Sequence, residues 1–263
     1  MHLLSDTNKK RSLSSGHSAD GSSVSSGDSS SVSSGDSLAK PVRNKRKKRG
    51  KKNKKGSPQP QQPQLTQQEK NQYIAIDCEM VGTGRYGQHS SLARVCMVDW
   101  DGITLLDLYV RQRVEVTDYR TFVSGIIEDD LTSDEAVDIE ECRARVQELI
   151  DDKILVGHAL KNDLHVLNIS HPWCQVRDTG KYEPFMKIRF EDGVFWPRKL
   201  KDLAKEKLGK DVQQSGRAHC PFEDAQTALD LYKKVRNKWE KAMEYKIKKT
   251  MEIQRTQQQQ ATQ

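Results

Sequence analysis

The sequence predicts an α/β fold, because short apolar runs that read as strands alternate with segments whose apolar residues recur at helical spacing. Three stretches carry this expectation. Tyr73-Ile74-Ala75-Ile76 is an apolar run that leads straight into Asp77-Cys78-Glu79. Ile154-Leu155-Val156 runs through Gly157 into a segment that buries Leu164 and Leu167, the order of strand, glycine turn and helix. From Pro221, a residue suited to a first helical turn, Ala225, Ala228, Leu229, Tyr232, Val235 and Trp239 form a buried stripe.

The first strand is expected to end where its acids begin, with Val81-Gly82-Thr83-Gly84 as the following turn. Side chains alternate along a strand, so Asp77 and Glu79 point to the same side. Two carboxylates that close repel unless a proton or a cation sits between them, and hard oxygen ligands suit magnesium or manganese. Taken alone, a D-x-E pair is usually an ordinary strand end. The apolar run in front of this one is what sets it apart.

Leu92 to Asp99 reads as a second strand, Asp101-Gly102 as a turn and Ile103 to Val110 as a third strand. The loop Thr83 to Ser91, with Gly82, Gly84 and Gly87 giving it conformational freedom, is expected to close over substrate. Asp134 to Ile150 shows helical spacing through Ala136, Ile139, Cys142, Val146, Leu149 and Ile150. Eight acids lie between Glu128 and Glu141, but no D-x-D-x-D-G loop accompanies them, which argues against calcium and for a solvated helix face. Asp163 falls in the first turns of the helix after Gly157, where amide dipoles favour a carboxylate; alone it is an ordinary first-turn acid. Val176 to Thr179 reads as a further strand. The stretch with Tyr182, Phe185, Phe190 and Trp196 is either an aromatic surface for bases or satellite core packing. Leu200, Leu203, Ala204 and Leu208 form a helix closed by Gly209. Asp224 lies one turn into the last helix, and His219 just ahead of it; alone, such a histidine is a solvent-exposed cap neighbour.

Charge is unevenly placed along the 263 residues, with net +10 up to Lys70, −9 over residues 71 to 232 and +6 from Lys233, giving the overall +7. Residues 12 to 38 are almost all Ser, Gly and Asp, a composition that cannot repay the entropy of ordering. Arg43 to Lys55 holds ten Lys or Arg in thirteen residues, the signature of a nuclear or nucleolar address and of an arm for polyanions. The expected organisation is therefore a head, basic cluster and Pro/Gln linker over residues 1–70, one folded domain over 71–240, and a basic, Gln-rich tail over 241–263. Five cysteines, at 78, 96, 142, 174 and 220, are scattered without a C-x-x-C pair, as in a reducing compartment. No stretch reads as a membrane span or a signal peptide.

Asp77-Cys78-Glu79-Met80-Val81-Gly82, Gly157-His158-Ala159-Leu160-Lys161-Asn162-Asp163 and His219-Cys220-Pro221-Phe222-Glu223-Asp224-Ala225 follow one another in this order. Together they resemble the three motifs of the DEDDh 3'-5' exonucleases of the ribonuclease H-like superfamily. Asp118-Tyr119-Arg120-Thr121, Arg177 to Tyr182 and the basic cluster point within that family to its RNA exonuclease branch, with the interferon-induced exonuclease and the apoptosis-enhancing nuclease as near relatives. One departure is Cys220, where the family usually has a serine.

The resemblance implies a mixed five-stranded sheet with helices on both faces and two Mg2+ or Mn2+ ions. Asp77, Glu79 and Asp224 would ligate one ion, Asp77 and Asp163 the other, and His219 would take a proton from the attacking water. Met80, Arg94, His158 and Asn162 are expected to contact substrate. The implied substrate is single-stranded RNA with a free 3' end, processed as part of ribosome production in the nucleus or nucleolus and bound in pre-ribosomal particles, with the protein a monomer off the membrane. The alternatives are a DNA-directed exonuclease in repair or cell death, and a non-catalytic protein that binds pre-ribosomes through its basic arm.

Overall fold

The computed structural model describes residues 64–261. The Ser/Gly-rich head and the basic cluster lie outside the described residues. A one-turn helix α1 (Gln67–Lys70) is capped by Thr66, whose hydroxyl accepts the Glu69 N–H while Glu69 accepts the Thr66 N–H. The strands of the main sheet are β1 (Tyr73–Thr83), β2 (His89–Asp99), β3 (Thr104–Tyr109), β4 (Val116–Asp118), β5 (Ile154–Gly157) and β6 (Val176–Asp178). Their order is β3-β2-β1-β5-β6, the mixed five-stranded sheet expected, with the three-residue β4 added against the far end of β1. β1 is parallel to β5, and β5 to β6, while β1, β2 and β3 run antiparallel in a meander.

β1 does not end at the acids. It continues to Thr83, because β2 pairs with it from Ile74↔Asp99 to Thr83↔His89, and only a register shift between Glu79 and Met80 marks the site. Gly82 is a place where two backbones meet, since an added Cβ would lie 2.8 Å from the Gly87 Cα. The expected loop Thr83 to Ser91 therefore shrinks to the turn Gly84 to Gln88. Thr117 and Arg120 pin that turn: the Thr117 hydroxyl donates to the Gly84 carbonyl (2.6 Å), and Arg120 donates to the Gly87 carbonyl (2.9 Å). The expected closure of this loop over substrate loses its basis.

Helices α2 (Thr121–Ser124), α3 (Glu128–Thr132), α4 (Ile139–Ile150), α5 (Lys161–Leu167), α6 (Leu200–Leu203) and α7 (Pro221–Ala261) complete the main body. α4 starts five residues later than its periodicity suggests, because Val137 pairs strand-like with Val110 and exchanges backbone hydrogen bonds with Tyr109 and Arg111. α6 runs on as a π-turn over Ala204–Leu208 and is closed by Gly209 at φ 70°. A separate ribbon pairs β7 (Lys187–Ile188) with β8 (Phe195–Trp196).

Strand alternation divides the core into two layers. Ile74, Ile76 and Cys78 pack with Cys142, Val146 and Ile150 of α4 and Leu167 of α5. Tyr73 and Ala75 face the other way, onto Ala225, Leu229, Tyr232 and Trp239 of α7. All five cysteines are free thiols, and no helix among the described residues is long and apolar enough to cross a membrane.

α7 is locked to the sheet by an ion pair between buried Arg177 and half-buried Glu240. The Arg177 guanidinium in β6 donates to both carboxylate oxygens of Glu240, at 2.8 and 2.7 Å, and the Tyr232 hydroxyl donates to the same carboxylate at 2.7 Å. Burial alone would raise the Glu240 pKa, but these two donors bring it below its ordinary value. Replacing one member strands the other, which costs about 3–5 kcal/mol, whereas replacing both with apolar residues is far milder. Glu240→Leu should therefore lower the unfolding free energy in urea by that amount, and Arg177→Met in the same chain should recover most of it. A loss under about 1 kcal/mol for Glu240→Leu would show that the pair does not anchor the helix.

Candidate active site

Three elements bring four acids together at one side of the sheet. Asp77 and Glu79 stand in the central strand β1, opposite Cys96 and Arg94 of β2. Asp77 lies two residues beyond Ala75 and so on the α7 side of the sheet. Asp163 comes from the first turn of α5, and Asp224 from the first turn of α7. Glu79, Asp163 and Asp224 are buried, at 6, 4 and 3 % exposure.

The turn into α5 explains how Asp163 is placed. β5 ends at Gly157, where a Cβ would lie 2.4 Å from a Leu160 methyl and 3.0 Å from the Ile76 carbonyl, so only glycine lets the chain turn here. Ala159 sits at φ 60°, and its N–H is held by Asp178 Oδ1 at 2.8 Å. Gly180 N–H donates to the same oxygen at 2.9 Å. Thr179 adds a hydroxyl donated to the Gly157 carbonyl (3.0 Å) and a contact with His158 Nδ1 (2.9 Å). The polar end of β6 thus fixes the loop that delivers Asp163, and Cys78 hydrogen-bonds the Asp163 carboxylate.

Asp224 is placed by the start of α7. One carboxylate oxygen, Oδ2, accepts a hydrogen bond from Gln213 at 2.6 Å, while Oδ1 is buried with no partner. His219 lies with Nδ1 3.8 Å from Asp224 Oδ2, its side chain about a third exposed at 32 %, and its backbone N–H donates to the Val123 carbonyl at 2.7 Å. The α2 segment therefore props up the residue that overhangs the acids.

The electrostatics tie the four carboxylates into one group. Burial, followed by the charges of Asp163, Asp224 and Glu79, holds the Asp77 carboxyl well above its ordinary range. Burial and Asp224 push Glu79 up to about 8, against the opposing pull of Arg94. Burial pushes Asp163 up to about 7, overcoming the Cys78 hydrogen bonds that favour its anion. Asp224 is raised by burial and partly restrained by Gln213 and His219. Among the described residues, no three His, Cys, Asp or Glu side chains stand arranged as a ready metal cage.

The four residues expected to contact substrate lie around this group in different states. Met80 follows the register shift of β1 and is half-buried against the core. Arg94 is committed to Asp107 by two hydrogen bonds, at 2.8 and 2.7 Å, and its charge acts on Glu79. His158 is occupied by Thr179, whereas Asn162 is exposed beside Asp163. Gln213, Cys78 and Asp178 support the acids without having been singled out. Gln213 belongs to an irregular loop with no pattern to mark it, but the polar pair Asp178-Thr179 at a strand end was a visible signal.

Residues 74–232 match the RNase_T family, described as Exonuclease. RNA exonuclease 4 of Cryptococcus neoformans is 42% identical over 178 residues, which are 68% of this chain and 42% of that protein. Human RNA exonuclease 4 is 44% identical over 167 residues, 64% of this chain and 38% of that protein. The chain thus matches about two fifths of the length of these relatives. Among solved structures, the Pan2 catalytic unit of Neurospora crassa superposes with a TM-score of 0.54 at 28% identity, covering 69% of this chain and 30% of that one. The Saccharomyces cerevisiae Pan2 pseudoubiquitin hydrolase–RNA exonuclease module in complex with AAUUAA RNA gives 0.56 at 30% identity, covering 70% and 32%. Since the matched span runs from β1 into α7 and takes in all three acidic segments, this chain belongs to the RNase_T exonuclease family, the DEDDh group of the ribonuclease H-like superfamily, alongside RNA exonuclease 4.

Proposed function

We propose that the protein is a metal-dependent 3'-5' exoribonuclease that removes nucleoside 5'-monophosphates one at a time from single-stranded RNA. The observation that carries this reading is the group of four acids, three buried and Asp77 half-buried, whose charges act on one another, with Asp224 Oδ1 left without a hydrogen-bond partner. An all-oxygen donor set of this kind suits hard divalent cations such as Mg2+ or Mn2+. Asp77, Glu79 and Asp224 would hold one ion, and Asp77 with Asp163 the other. When bound, such a pair stabilises charge on the attacking and leaving oxygens of a phosphodiester.

The chain's own residues supply the rest. His219, partly exposed beside Asp224, accepts the proton of the attacking water, while Gln213 keeps Asp224 turned inward. Asn162, exposed next to Asp163, reaches the substrate backbone. RNA is favoured over DNA because the matched relatives are called RNA exonuclease 4 and because yeast Pan2 modules are solved with RNA oligomers. The cluster Arg43 to Lys55 supports a nuclear or nucleolar site of action on ribosomal RNA precursors in pre-ribosomal particles. In this reading the exonuclease domain is residues 71–240, with its last helix running on past 240 to Ala261 and burying Met243 against the core, and the protein acts as a monomer.

The test is a time course on 5'-labelled single-stranded RNA and DNA of one sequence, with Mg2+, Mn2+ or chelator. RNA should shorten through a ladder of single-nucleotide steps only when metal is present, and circular RNA should stay intact. His219→Ala should slow the ladder about 10²- to 10⁴-fold, the worth of a positioned acid–base group, with metal affinity unchanged. Internal cutting of the circle, or DNA degraded far faster than RNA, would overturn the proposal.

The raised carboxyls also set a pH dependence of stability. With Glu79 near 8 and Asp163 near 7 in the fold, against 4.5 and 3.8 ordinarily, the folded state binds more protons than the unfolded state across that window. Stability therefore falls as pH rises through it. In chelator, Tm should drop from about pH 5 to about pH 8, and Glu79→Gln together with Asp163→Asn should flatten that drop. An unchanged slope in the double variant would place the pH dependence elsewhere.

A further inference from the structure

The β7–β8 ribbon has no part in the site described above. Lys187 pairs with Trp196 and Ile188 with Phe195, and the connecting loop is closed by Arg189 N–H donating to the Val194 carbonyl and Gly193 N–H to the Arg189 carbonyl, both at 2.9 Å. Alternation places Lys187, Arg189 and Trp196 on one side, where the Arg189 guanidinium lies 4.5 Å from the Trp196 ring centroid. Ile188 and Phe195 point to the other side, and neither side is covered. Phe190 at the tip is fully exposed at 102 %, Ile188 is 55 %, Trp196 50 % and Phe195 44 % exposed. Of the two readings open for these aromatics, core packing holds for Tyr182 and Phe185 but not for Phe190 or Trp196.

Both stems of the ribbon are anchored, since Phe185 before it and Leu200 after it are buried with Leu203 and Leu231. The second stem also comes near the acidic site's own loop: the backbone of Arg198 lies close enough to the imidazole of His158, five residues ahead of Asp163, to favour its charged form against burial. A rigid base thus holds an apolar, aromatic ribbon next to the loop that carries a catalytic acid.

Charge decides what the ribbon meets. Arg189 is paired with Asp192 at 3.2 Å and Arg198 with Glu206 at 2.5 Å, but Lys187, Lys199 and Lys201 form no ion pair among the described residues. The core of a protein–protein interface is depleted in lysine, whereas aromatic rings interleaved with free cations suit unpaired bases on a phosphate chain. We propose that the 187–196 ribbon is a stacking platform for single-stranded RNA upstream of the 3' end, with Trp196, Phe195 and Phe190 offering ring faces and Lys187, Lys199 and Lys201 meeting phosphates. Placing the bound strand upstream of the 3' end rests on the exoribonuclease reading.

Two measurements on the full chain test this. In chelator, binding of a fluorescent U-rich single-stranded RNA 12-mer should weaken about fivefold or more for Phe190→Ala and again for Trp196→Ala, while Trp196→Phe, which keeps a ring, retains most of the affinity. The ratio to wild type should hold at low and high salt, because ring contacts, unlike phosphate contacts, release few counterions. With Mg2+, the same alanine variants should raise KM for the 12-mer and leave turnover of a dinucleotide unchanged. Binding lost in the variants with no hydrolysis by wild type would keep the platform and remove the exoribonuclease reading. Wild-type affinity and KM in both alanine variants would overturn the platform, and so would unchanged RNA affinity accompanied by a shift from dimer to monomer in sedimentation, which would make the ribbon a protein contact.

Discussion

The constraint on which the structure turns is the mutual repulsion of Asp77, Glu79, Asp163 and Asp224. Each is buried or shielded, and each raises the cost of ionising at least one of the others or bears that cost itself. A fold that only had to be stable would place apolar side chains there. This one instead builds a support for every acid: a central strand held along its length by β2 and, just ahead of Asp77, by β5 for Asp77 and Glu79, the Asp178–Ala159 turn for Asp163, and Gln213 for Asp224. The raised carboxyls of this group are what the proposed cation-dependent function explains.

The rest of the molecule can be read as scaffolding for that group. α7 delivers Asp224 at its start and is held to the sheet sixteen residues later by Glu240, Arg177 and Tyr232. Arg177 and Asp178 are neighbours in β6, so one short strand anchors the helix bearing Asp224 and shapes the loop bearing Asp163. A disturbance at the Arg177–Glu240 pair should therefore reach the acids from two directions.

How much of this was legible depends on whether a residue's role is local. The apolar run before Asp77, the glycine at 157 and the proline at 221 each mark a local backbone event, and the elements follow from them. The length of β1 is not local: it extends past Glu79 because β2 returns alongside it, and no residue in β1 announces its partner. α4 is shortened for the same reason, since Val137 is claimed by Val110 across the chain. The acids of the three motifs could be named from their order, but Gln213, which orients Asp224, sits in a loop without periodicity and became visible only once its contact was. The aromatic stretch from Tyr182 to Trp196 was undecided because its residues split: those nearest the stems are buried, and those of the ribbon are not.

The central claim is that these four acids form a cation site even though their side chains do not stand as a closed cage. Calorimetric titration of Mn2+ into the 263-residue chain tests it most directly. The account predicts saturable binding to the wild type that is lost in Asp77→Asn, whose fold should be intact because an acid repelled by its neighbours gives way to a neutral side chain of the same shape. No saturable binding by the wild type, or equal binding by Asp77→Asn, would contradict it.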